Sequence, residues 1–170
     1  MRDTLIVLFT LIAAVVIGGL LYLFGPSIFQ TVPSTTTSLH GGNVTYTVIA
    51  AGKNAPGIDT RVNYRITTSD QLVALWDMVY GESGPSVPII DFDKYEVLAV
   101  FDGSHTTSGY DIKVSSVSDS NGMRTVTVTR TMPGPNCSTG GSITSPFVII
   151  SAPKTPLQLT HIDEEHVTNC

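Results

Sequence analysis

The run DFDKYEVLAVFDGSHTTSGYDIKVSSV, residues 91–117, is where two kinds of strand meet. Val97 to Phe101 is apolar without a break, the pattern of a strand covered on both faces. From Tyr110 onward the apolar residues Tyr110, Ile112, Val114 and Val117 are interleaved with Asp111, Lys113 and Ser115, the pattern of a strand with one wet face. Between them, Gly103 to Gly109 supplies two glycines, hydroxyls and an imidazole, so it can turn tightly and present side chains to solvent. The expectation is a hairpin-like unit whose loop residues Ser104, His105, Thr106, Thr107, Ser108 and Gly109 are the candidate partner contacts.

Upstream, Thr45 to Ala51 alternates as a strand that Gly52 ends, and Val62 to Ile66 is a second short strand. Thr68 and Gln71 form a capping-box signature before Leu72, Leu75, Trp76 and Val79, which share one helical face, and Gly81 stops the helix. On that face the lone Trp76 reads as core rather than as a stacking platform for a ligand. Asp91 and Asp93 read as caps of the turn into the central strand, with Phe92 in the core. Downstream, Asn121-Gly122 predicts a tight hairpin joining Val114–Ser118 to Thr125–Arg130. A long Gly/Pro-rich loop over 131–144 leads to a strand at Phe147–Ser151, and Leu157–Ile162 is expected as an edge segment. The fold class is α+β, mostly antiparallel sheet with one amphipathic helix.

The N-terminal quarter differs in kind. Leu5 to Phe24 is an uncharged apolar run of the length that spans a bilayer as a helix, and Arg2 before it favours a cytoplasmic N-terminus. Residues 1–4 are therefore expected in the cytoplasm and 5–25 as a single transmembrane anchor. Residues 26–43, rich in Ser, Thr and Pro, are expected as a tether, and 44–170 as one extracytoplasmic domain. Nine Lys and Arg against fourteen Asp and Glu give a net charge of −5, and the scattered cations form no patch for nucleic acid.

The chain has two cysteines, Cys137 in the long loop and Cys170 at the end. Outside the cytoplasm such a pair is expected as a disulfide. Asp102, Ser104 and His105 are the residue types of a hydrolase triad, but near neighbours in sequence rarely form the required relay, and no Gly-x-Ser-x-Gly elbow is present. The stretch His161-Ile-Asp-Glu-Glu-His166 holds metal-ligating types, yet reads as a solvated end. Asp91, Asp93 and Glu96 match no calcium loop. No cofactor, metal or catalytic residue is expected.

The segments IxDFDKYEVLAVFDG, TTSGYDIKV and TSPFVII together resemble the C-terminal domain family of the protease-complex subunit PrcB, over roughly residues 66–152. The Asp-Phe pair before a strand, the Gly-to-Gly-Tyr turn and the Pro before the last apolar strand are its most specific elements. The resemblance implies a bacterial, secreted or membrane-anchored, non-catalytic domain named after an accessory subunit. The expected function is a non-enzymatic, extracytoplasmic protein-binding or protease-accessory module, meeting its partner by the loops Gly103–Gly109 and Met132–Thr144 or by an exposed edge strand. Thr106-Thr-Ser-Gly-Tyr110 is also similar to a loop of chagasin-type cysteine-protease inhibitors, without that loop's Asn-Pro. This keeps open an inhibitor presenting loops 103–110 and 132–147 to a protease cleft. A small hydrolase using Ser104 and His105 is the remaining alternative.

Overall fold

In the computed structural model, which describes residues 42–81 and 83–170, the apolar run at 97–101 belongs to strand β4 (Tyr95–Phe101). β4 lies between β3 (Val62–Ile66) and β7 (Phe147–Pro153), and β2 (Thr47–Gly52) pairs with the far side of β7, all antiparallel. Successive β4 side chains enter different cores. Val97, Ala99 and Phe101, with Phe147 and Ile149, pack on Leu72, Leu75, Trp76 and Val79 of helix α1 (Ser69–Tyr80). Leu98 and Val100, with Val148 and Ile150, pack on Ile112, Val114, Val117, Val126 and Val128 of a second sheet. Three layers result: helix, sheet, sheet. From Val97 to Phe101 neither face of β4 is wet, so no polar residue alternates there.

The second sheet has the order β1 (Gly42–Asn43), β5 (Asp111–Ser120), β6 (Met123–Pro133), β8 (Gln158–Thr168). β5 and β6 form the expected hairpin. Asn121 and Gly122 both take positive φ, 52° and 76°, as a two-residue turn matched to strand twist requires. A register shift between Val114 and Ser116 moves the side-chain phase, so Val117 follows Val114 into the core three positions later instead of two.

Several expectations are corrected. β4 and β5 are not a hairpin: β3 and β7 occupy both edges of β4, so the chain after Phe101 must cross to the other sheet to find a partner. The C-terminal segment is no free end. β8 runs for eleven residues, parallel to β6, and carries the whole His161–His166 stretch. Gly42 and Asn43, inside the expected tether, already belong to the sheet, pairing with Asp119 and Ser118. Thr68 caps α1 by accepting from the Gln71 amide, but the Gln71 side chain reaches the Thr67 amide rather than that of Thr68. Trp76 is core, its Nε1 donating to Pro85 O. Asp91 accepts from the Asp93 amide with Oδ1, and Phe92 packs against the helix-side core. The expected anchor at 5–25 and the tether up to residue 41 lie outside the described residues. Among the described residues no helix is long and apolar enough to cross a membrane.

The parallel strand needs a crossover from β7, and a buried charge cluster holds it. Glu96, fully buried on β4, accepts from Arg65 Nε at 2.8 Å and Arg124 Nη1 at 2.9 Å. The same guanidiniums donate to the carbonyls of Pro153, Thr155 and Leu157, and Arg124 is bidentate to Asp119 at 2.7 Å. Burial alone would lower the Arg124 pKa, but Asp119 and Glu96 push it up. Every buried polar side-chain atom in the described residues has a partner.

Candidate functional site

β2 ends, β3 begins, β4 ends and β7 begins at one end of the stacked sheets, where β5 begins and β6 and β8 finish. Three connections therefore meet there: 53–61, 102–110 and 134–146. Their backbones are joined across the gaps. His105 and Thr144 exchange both amide hydrogen bonds, at 2.8 and 3.0 Å. Ser108 N donates to Gly140 O, and Gly140 N to Ser108 Oγ at 2.8 Å. Thr144 Oγ1 donates to Thr107 O. Ser104 N reaches Asp59 O, and Ser145 N reaches Lys53 O, which brings in the first loop. Gly103 makes this approach feasible: its φ is +84°, and a Cβ there would lie 2.8–2.9 Å from the backbone of Asp59, Thr60 and Arg61.

Under the loops sits a polar cluster. The Asp102 carboxylate, 1% exposed, meets His105 Nε2 at 2.7 Å on one oxygen and Arg130 Nε on the other. Burial alone would depress the Arg130 pKa, but Asp102, with Asp163 and Glu165, pushes it up. The His105 ring stacks on Tyr110 with centroids 3.7 Å apart. Sequence proximity thus does join Asp102 to His105, against expectation, since Gly103 turns the chain back on itself. No hydrogen bond links the Ser104 hydroxyl to His105 among the described residues, so the third member of the triad is not assembled.

Of the expected contact residues, Ser104, Thr106 and Gly109 are exposed, while His105, Thr107 and Ser108 are half-buried and hold the neighbouring loop. The long loop adds exposed Gly140, Gly141 and Ile143, the last 70% exposed. Arg130 was not legible as a site residue, since it looks like any polar member of a Thr-rich strand; Ile143 lies in the expected contact loop but was not singled out within it. Cys137 and Cys170 form the expected disulfide, with Cα atoms 5.0 Å apart, fastening the end of β8 to the long loop. Among the described residues no group of three or more His, Cys, Asp and Glu is placed to hold a metal ion. Asp163 pairs instead with Arg61 at 2.7 Å, and Glu165 lies 3.4 Å from Arg130.

This loop-bearing core is also what is shared with a known family. Residues 97–153 match the PrcB C-terminal family. The PrcB C-terminal match covers about a third of the chain, from β4 to the end of β7, and so contains both the 102–110 and 134–146 loops. It is narrower than the resemblance read from sequence: the Asp91-Phe92 pair and α1 fall outside, whereas the Gly109-Tyr110 turn and Pro146 fall inside. β8 and Cys170 also lie beyond it. No curated protein and no solved structure matches the chain.

Proposed function

We propose that the chain is a non-enzymatic protein-binding module of the protease-accessory kind, anchored in the membrane with its domain outside the cytoplasm, and that the loop end is its contact surface. The observation that carries this is the pairing of residues 105–108 with 140–144 across two loops. Loops ordered before binding cost less to immobilise in a complex, and the disulfide at Cys137 stiffens one of them further. The PrcB C-terminal match lies over both loops, and the family's name points to a protease complex as the setting.

A non-enzymatic role is supported by how His105 is used. Its Nε2 is taken by Asp102, one ring face is covered by Tyr110, and among the described residues no hydroxyl or thiol is hydrogen-bonded to it. The inhibitor reading rests on the same adjacency, since two neighbouring loops of a rigid domain are the form in which a protease cleft is filled. One experiment separates these readings. The full chain, and a variant with 106–109 rebuilt as Ala-Ala-Ser-Gly, are used as bait for envelope proteins and assayed against proteases found among the captured proteins. An accessory module captures a partner through the loops and leaves peptide hydrolysis intact, while an inhibitor suppresses it. Capture that is indifferent to the loop change overturns the proposed surface.

A further inference from the structure

β8 presents a second, different surface. Among the described residues its only strand partner is β6, so its outer side is an open edge of the second sheet. Over eleven residues, about five should point N–H and C=O groups outward. Natural edges of that length are usually blunted by lysine, proline, a bulge or brevity. β8 contains no Lys and no Pro, and its register with β6 runs unbroken from Gln158 to Thr168. The disulfide two residues beyond its end, and the Arg61–Asp163 pair near its middle, keep it flush with the sheet.

We propose that β8 is a docking edge for an extended, basic segment of another protein, which adds to the sheet as its fifth strand. Charge selects this occupant. Asp163, Glu164 and Glu165 are consecutive; Asp163 and Glu165 share one face with Arg61 and Arg130, while exposed Glu164 stands on the other. Glu164 has no ion-pair partner among the described residues. A second copy is disfavoured: antiparallel pairing centred on Glu164 sets Glu164 against Glu164 and Asp163 against Glu165, like charges directly opposed. The chain's own residues 27–43 contain no Lys or Arg to supply the complement. A strand with Lys or Arg opposite 163–165 gains backbone pairing and cross-strand charge pairs together.

The test uses the full chain in non-ionic detergent and a fluorescein-labelled eight-residue peptide of alternating Lys and Val. Controls are the same peptide N-methylated at alternate residues along either edge, and a Glu-Val peptide. Expected results are saturable binding of the Lys peptide, loss with at least one N-methylation pattern, and no binding of the Glu peptide. Hydrogen-exchange protection should appear in β8. Glu164→Lys should weaken binding about two- to thirty-fold, from turning an attractive pair into a repulsive one. Glu164→Gln gives a smaller loss and covers the case where the lysine variant misfolds. The proposal is overturned by absence of binding, by indifference to both N-methylation patterns, or by affinity unchanged in both variants. Protection confined to the 102–110 loop, or β8 amides already fully protected in the free chain, would also overturn it.

Discussion

Replacing Glu96 by Ala should strongly destabilise the domain, and the structure says by how much. The carboxylate is fully buried and accepts three charge-assisted hydrogen bonds, two from Arg65 and one from Arg124, whose own side chain is 3% exposed. Removing it strands buried positive charge, a change that costs about 3–5 kcal/mol. Arg124 keeps Asp119, and Arg65 keeps two carbonyls, so the lower part of that range, about 3–4 kcal/mol, applies. With a urea slope of ~1–3 kcal/mol per molar, the midpoint should fall by about 1–4 M. Fluorescence of Trp76, the only Trp and a core residue, reports the transition. The triple replacement Glu96→Met, Arg65→Leu, Arg124→Leu should recover most of the loss, because an apolar cluster replaces an ionic one of similar volume. It also removes the donors that hold the carbonyls of 153–157, so amide exchange in β8 should quicken at least about tenfold while global stability returns. A Glu96→Ala cost below about 1 kcal/mol, or unchanged β8 exchange in the triple variant, would refute the reasoning.

Cys170→Ser opens a 33-residue separation and should cost about 3–4 kcal/mol on the chain-entropy account, checked by urea unfolding with reduced wild type as its match. Gly103→Ala should cost about 2–3 kcal/mol, because its φ is positive and the new Cβ meets the backbone of 59–61, whereas Gly141→Ala, with open space around it, should leave the midpoint unchanged. Burial raises the Tyr80 pKa above 10.0, so above about pH 10 the unfolded chain loses its phenolic proton first. Stability should therefore be complete below that pH and decline as pH rises through the folded value, and Tyr80→Phe should remove that part of the decline in urea midpoints compared at pH 9 and 11.

The layers of the fold were legible where one residue's neighbours dictate its environment. Val97–Phe101 had to be covered twice, and Asn121-Gly122 had to turn a hairpin, because each signal is local. The partner of a strand is not local. The Gly103–Gly109 loop looks the same whether the next strand pairs beside β4 or crosses to another sheet, and only the competing claims of β3 and β7 on the edges of β4 decide it. β8 was half visible: its first part falls in the expected edge segment Leu157–Ile162, but its continuation to Thr168 was not legible, because the charged residues there face solvent and the cations Arg61 and Arg130 and leave no apolar alternation. At the site, both the 103–109 loop and the 132–144 loop were expected as contacts from their own Gly-, Pro- and Ser/Thr-rich composition. That the two are joined to each other depends on backbone bonds that no side-chain pattern announces.

The central claim is that the joined loops form the surface that meets another protein. The most direct measurement is photocrosslinking in intact cells from a photoreactive residue at exposed Ile143, with Thr106 as a second position on the facing loop and Asn121, at the opposite end of the sheets, as control. The account predicts one and the same adduct from Ile143 and Thr106, lost when 106–109 is rebuilt, and absent from Asn121. Different adducts from the two loop positions, or an adduct from Asn121 alone with the fold intact, would contradict it.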